Sequence, residues 1–167
     1  MCEISVVMPV YNSAAYVTHA IESELLHYES HFEGKVVYCN CDDPHISNFF
    51  RYFVSHFRRL GLKKVIAACY KEQHVNLFDT GKNNHGFFFE YTGTELTGTD
   101  PNTANIVYFK GDGDFRSAES IALLKQSDIV VTNPPFSLFR EFVAQLMRYD
   151  KKFLIIGNIN AITYKEI

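Results

Sequence analysis

One stretch constrains this chain more than any other: Asp128–Phe136, DIVVTNPPF. Asp128-Ile129-Val130-Val131-Thr132 reads as a buried strand, and it stops at Asn133-Pro134-Pro135-Phe136. Two prolines cannot continue a ladder, because neither offers an N–H. Ser137 then opens a helical pattern with Leu138, Phe139, Phe142, Val143, Leu146 and Met147 on one face. Asn133 and Phe136 are therefore expected at the carboxyl end of a strand and ahead of a helix, where open α/β sheets place their chemistry. A plain strand-ending turn would use the same residue types, since proline pairs end strands and asparagine suits turns.

The rest of the chain supplies a sheet for that strand. Lys35–Asn40, Leu62–Tyr70 and Lys151–Gly157 read as further strands. Between the first two, Ile46, Phe49, Phe50, Phe53, Val54 and Phe57 form one helical stripe. Ser117 opens another helix through Ile121 and Leu124. Alternating strands and helices predict a mostly parallel α/β sheet. Phe87–Tyr91 and Ile106–Phe109 read as a hairpin that could lie beside that sheet, and a plain surface insertion is the expected account.

Composition bounds the remaining choices. The 167 residues are 47% hydrophobic and 21% charged, enough for one folded domain with a real core. No apolar run reaches membrane-spanning length, and no signal peptide is expected. Cys2, Cys39, Cys41 and Cys69 make no secreted disulfide framework, so a reducing cytoplasm is expected. Cys39-x-Cys41 with His45 lacks the further ligands of a closed zinc site, and no metal is expected. A net charge of −3 is a poor footprint for a free-standing DNA binder, so any DNA surface must be local or lie elsewhere.

Two loops are candidate ligand sites. Cys41-Asp42-Asp43-Pro44 follows the Lys35–Asn40 strand, where a glycine-rich phosphate loop would stand, but the glycines are missing. Asp42 and Asp43 could equally cap the next helix. Gly111-Asp112-Gly113-Asp114-Phe115 is a glycine-assisted turn that carries an Asp pair. Tyr70 ends the Leu62–Tyr70 strand, where nucleotide-binding folds commonly carry an acid.

KVVYCNCDDPHISNFF, GDGDFRS, DIVVTNPPFSLFREFVAQL and KKFLIIGNINAITYKEI, in that order, resemble adenine-specific DNA methyltransferases of the EcoRI modification-methylase family. The resemblance covers residues 24–167 and implies a Rossmann-like class I methyltransferase fold. The sheet is expected to be incomplete, with two strands and a target-recognition region beyond Ile167. The resemblance also implies S-adenosylmethionine as cofactor and double-stranded DNA as partner, with no membrane and no metal. The activity implied is N6-methylation of a flipped adenine, as in a restriction-modification system.

Asn133, Pro134, Pro135 and Phe136 would be catalytic. Asn40, Asp42, Asp43, Pro44, Tyr70, Asp114 and Phe115 would bind the cofactor, Asp114 taking the adenine amine and Phe115 packing on the ring. Residues 1–23 instead resemble the opening strand and helix of family 2 glycosyltransferases, through EISVVMPVYNS. They are expected to be a foreign fusion, and the Phe-Tyr-Thr-like segment expected upstream is not visible. The alternative activities are a glycosyltransferase fragment using a nucleotide-sugar, in which the resemblance would imply Asp112 and Asp114 as the metal and nucleotide-sugar site, or an inactive methyltransferase remnant. The Ile4–Pro9 strand is expected to pair at the open side of Lys151–Gly157, which would otherwise be a raw edge.

Overall fold

Short runs of valine, isoleucine and phenylalanine set the strands, since branched and aromatic side chains suit a pleated surface covered by helices. The computed structural model describes residues 5–9, 23, 25–41, 47–71, 85–93 and 106–157. Its strands are β1 (Ser5–Pro9), β2 (Val36–Asn40), β3 (Lys64–Cys69), β4 (Phe87–Tyr91), β5 (Ile106–Tyr108), β6 (Ile129–Thr132) and β7 (Lys152–Gly157). Among the described residues, three α-helices are delimited: α1 (Asn48–Ser55), α2 (Ala118–Gln126) and α3 (Phe139–Arg148).

All seven strands join one sheet in the order β1-β7-β6-β2-β3-β4-β5. The first five in that order run parallel, and β4 and β5 are antiparallel additions beyond β3. This is the mostly parallel α/β architecture expected. Every residue of β2 and β6 is buried, as central strands covered on both faces must be. The expected edge pairing is present: β1 lies parallel to β7, with Ser5 opposite Phe153 and Pro9 opposite Gly157. The Phe87–Tyr91 and Ile106–Tyr108 segments extend the sheet rather than forming a separate surface insertion.

Side-chain alternation divides the core into two layers. On one face Val37, Cys39, Val65, Ala67 and Val131 pack with Phe49, Phe50 and Phe53 of α1, and with Leu25 and Phe32. On the other, Tyr38, Ile66, Val130 and Ile155 pack with Leu123 and Leu124 of α2 and Phe142, Val143 and Leu146 of α3. The α1 layer is aromatic: Phe32–Phe53 and Phe50–Phe89 meet edge-on at 5.1 and 5.4 Å. Such pairs add about 0.5–1.5 kcal/mol each beyond their burial.

The helix starts depart from the reading in two places. Ser47, not an aspartate, is the N-cap of α1, its hydroxyl accepting the Phe50 N–H at 3.0 Å. Ser137 does not cap α3. A 3-10 turn, Phe136–Leu138, intervenes, and α3 starts at Phe139 without a side-chain cap. The following helix is therefore entered one turn late, and Met147 lies outside the buried face at 45% exposure. Ser117 does cap α2, accepting from the Ser120 N–H.

Candidate active site

The carboxyl ends of the parallel strands meet along one edge, and the strand order reverses between β2 and β6. From β2 the chain passes through α1, on one face, to β3. From β6 it passes through α3, on the other face, to β7. That reversal opens a crevice between two central strands, the usual ligand position in such sheets. Asn40 ends one strand at the crevice, and Asn133 follows the other.

The Asn133–Phe136 turn divides its residues cleanly. Pro134 is buried and Pro135 half-buried, while Asn133 is exposed. Phe136 is 65% exposed, a large apolar ring held in water by a stiff turn. Pro135 offers its carbonyl to the Leu138 N–H at 3.0 Å, so that acceptor is engaged in closing the 3-10 turn. The two prolines thus anchor the turn, and its two ends face outward.

At the end of β2 the polar groups are buried. Asn40 is 1% exposed. Its Oδ1 accepts the Cys41 N–H at 2.9 Å, and its Nδ2 is buried without a hydrogen-bond partner. Its carbonyl accepts the Thr132 hydroxyl of β6. Cys41 has a φ of 63°, the left-handed region that usually selects glycine. The glycine-rich motif is absent, and the first residue after β2 takes a left-handed conformation without being a glycine. Asp42, Asp43 and Pro44 lie outside the described residues.

The Gly111–Phe115 loop is stitched to the end of β3 by main chain. Lys71 N–H donates to the Asp112 carbonyl at 2.8 Å, and Gly86 N–H to the Gly111 carbonyl at 3.0 Å. A β-carbon on Gly113, where φ is 78°, would lie 2.7 Å from the Cys69 carbonyl oxygen. Glu119 of α2 accepts the Lys110 and Gly111 N–H groups at 3.0 and 3.1 Å. The loop therefore stands beside Tyr70, which is 36% exposed with the Lys71 ammonium 5.7 Å from its ring centre.

Asp114 is not a free acceptor. Arg116 grips both of its oxygens, Nε to Oδ1 at 2.9 Å and Nη2 to Oδ2 at 2.7 Å, and reaches Glu141 of α3 at 2.9 Å. These bonds hold the Asp114 carboxyl below its ordinary value of 3.8, against a smaller opposing effect of burial. A depressed carboxylate stabilises the loop above that ordinary value and loses its effect as pH falls through the depressed one. Arg116→Ala is expected to raise the Asp114 titration midpoint, read as the carboxyl-carbon chemical shift against pH. An unmoved midpoint would remove Arg116 as the cause.

Phe115 differs from its expected place. Its ring is 3% exposed and meets Phe142 edge-on at 5.2 Å. An open stacking face would need at least one side of the ring free. Phe115 instead roots the loop in the core between α2 and α3. Behind it, burial raises the Tyr38 phenol far above its usual titration range, so that group stays neutral. No cluster of three His, Cys, Asp or Glu side chains able to hold a metal occurs among the described residues. No helix among them is long and apolar enough to cross a membrane.

The family model for the adenine-specific methyltransferase EcoRI matches residues 13–167. The chain belongs to this family. It is 58% identical over 150 residues to the type II methyltransferase M.EcoRI of Escherichia coli, covering 88% of this chain and 45% of that protein. It is 41% identical over 147 residues to M.MgeORF184P of Mycoplasma genitalium, covering 88% of this chain and 41% of that one. M.MpnI of Mycoplasma pneumoniae is 41% identical over 147 residues, at 88% and 40% coverage. This EcoRI-type chain thus spans less than half the length of the curated relatives it matches. No solved structure gives a significant match. These relatives do not favour the glycosyltransferase reading of Asp112 and Asp114.

The structure ties the Asp112–Asp114 loop to the end of β3 beside Tyr70 and, through Arg116, to α3, and it joins Asn40 to Thr132, the residue before Asn133. Sequence reasoning missed Arg116, Cys41 and Thr132. The first had a signal, a cation two residues after an acid in an exposed turn. The other two had none, since neither a cysteine nor a strand threonine announces a special backbone or bond.

Proposed function

We propose that this chain carries the cofactor and catalytic groups of a DNA adenine N6-methyltransferase of a restriction-modification system. One observation carries the reading: the Asn133–Phe136 turn ends a central strand at the crevice, buries Pro134, and turns Asn133 and Phe136 outward.

S-adenosylmethionine would sit at the end of β2, beside this turn. The buried, unpartnered Nδ2 of Asn40 is a donor awaiting an acceptor, and leaving such a group unmet is costly. Asn40, Tyr70 and the Asp112–Asp114 loop would hold the cofactor, with Asp42, Asp43 and Pro44 completing the turn. The role of Asp114 toward the adenine amine requires sharing its carboxylate with Arg116. Phe115 supports that loop from beneath.

When bound, the cofactor supplies an electrophilic methyl group on a sulfonium sulfur. The chain's own residues prepare the nucleophile. An exocyclic adenine amine is weak because its lone pair is delocalised into the ring. The Asn133 Oδ1 and the Pro134 carbonyl accept its two N–H bonds, localising the lone pair and aiming it. Phe136 stacks on the base, which must first leave the duplex. Stacking of this kind is worth about 1–3 kcal/mol per base. The methyl would pass from sulfur, which keeps the bonding pair, to the amine nitrogen oriented by Asn133 and Pro134, and the nitrogen's surplus proton would leave to solvent.

The test is calorimetric binding of S-adenosylmethionine to the chain, followed by transfer of its tritiated methyl group to unmethylated genomic DNA. Micromolar binding and label in N6-methyladenine are expected. Binding of a uridine-diphosphate sugar with manganese, and not of S-adenosylmethionine, would overturn the reading. A folded chain that binds neither would be an inactive remnant.

A further inference from the structure

We propose that Thr132 is a positioning residue for methyl transfer, its hydroxyl fixing the strand that ends at Asn133 against the strand that ends at the cofactor turn. The proposal deepens the methyltransferase reading and rests on it.

The two central strands are joined unevenly. At their amino ends Asp128 closes the pair twice: its N–H donates to the Val36 carbonyl at 2.9 Å, and its Oδ2 accepts the Val36 N–H at 2.8 Å. The ladder continues through Val37–Ile129 and ends at Tyr38–Val130. Each strand remains registered with its outer neighbour further along, β2 with β3 to Asn40–Ala68 and β6 with β7 to Thr132–Ile155. The register between the two halves of the sheet thus stops two residues before Asn40 and Thr132. There the Thr132 hydroxyl donates to the Asn40 carbonyl.

This tie sits where alignment matters. Thr132 is 0% and Asn40 1% exposed. Valine would suit a buried strand position equally well, and a hydroxyl at zero exposure is costly unless bonded. Thr132 directly precedes Asn133. Asn40 directly precedes the left-handed Cys41, whose N–H its side chain holds at 2.9 Å. The amine acceptor and the cofactor turn are thus carried by different halves of the sheet. Reacting atoms must approach to about 3–3.5 Å with correct alignment, and small displacements cost large factors in rate. A side-chain bond just beyond the last registered pair sets the separation of the two halves where their functional residues begin.

Thr132→Val and Thr132→Ser separate the hydroxyl from the shape. With saturating tritiated S-adenosylmethionine and unmethylated genomic DNA, Thr132→Val is expected to slow single-turnover methylation about 10–100-fold. Cofactor affinity should stay within about threefold, the split expected when alignment rather than uniform binding is lost. Thr132→Ser should recover the rate. Amide exchange at Cys41 and Asn133 should quicken in Thr132→Val and not in Thr132→Ser. Normal turnover by folded Thr132→Val, or a rate loss fully explained by weaker cofactor binding, overturns the proposal. If the unmodified chain neither binds nor methylates, the methyltransferase reading fails and the catalytic role with it. Unchanged exchange in Thr132→Val separately overturns the tie.

Discussion

Replacing Asn133 with alanine is expected to slow methyl transfer by about 10²–10³-fold, the usual consequence of removing one preorganised polar group from a developing charge. Cofactor affinity should not change, because the proposed partner of the Asn133 side chain is the base and not the cofactor. Stability should change by no more than about 0.5 kcal/mol, since the side chain is exposed and outside both core layers. Single-turnover rates, calorimetric cofactor binding and thermal melts distinguish these effects. An unchanged rate would remove Asn133 from the reaction. A large loss of melting temperature would make the residue structural.

The second large effect concerns the Gly111–Phe115 loop. Gly113→Ala is expected to destabilise the protein by roughly 2–4 kcal/mol, combining left-handed strain with an overpacked backbone contact. The added carbon would meet the Cys69 carbonyl at 2.7 Å and the Gly86 Cα at 3.1 Å, and neither is a flexible side chain. To relieve the overlap the loop must lift from β3, carrying Asp112 and Asp114 away from Tyr70. Gly34→Ala is the control. Its φ of 69° is similar, but an added carbon meets nothing within 4 Å. Strain alone should then cost about 1 kcal/mol. Denaturant melts of the two variants give the contact as their difference, and equal losses would show that the Gly113 approach to β3 carries no weight.

The fold was legible where one physical requirement dominated. β2, β3, β6 and β7 follow from apolar runs of strand length, and the position of Asn133 follows from two prolines that cannot extend a ladder. The helical stripe predicted Phe49, Phe50 and Phe53 on the buried face of α1; Phe57 is buried just past the helix, Val54 is half-buried, Tyr52 is buried though it was not in the stripe, and Ile46 lies outside the described residues. The entry to α3 was harder to read. Ser137 has the chemistry of a cap, but the chain is still turning through Phe136–Leu138 when it reaches that residue. Asp114 looked like an open acceptor because Arg116 folds back over two residues, a contact no periodicity records. Phe115 looked like a stacking platform because an aromatic beside an aspartate does not declare which way its ring turns. Cys41 bends as glycine does, so a search for glycines passes over it.

The pairing of β1 with β7 also has a consequence in time. Ser5 and Phe153 are partners about 150 residues apart. Translation at about 5–20 residues per second separates the emergence of such partners by roughly 7–30 s. During that interval β1 has no β7 to pair with, and it is free to meet other strand edges. Contacts of such sequence separation are slow to close. The outermost parallel strand of the sheet, although early in the chain, must therefore be among the last to join it, and a ribosome-bound nascent chain should acquire that edge only after β7 has left the exit tunnel.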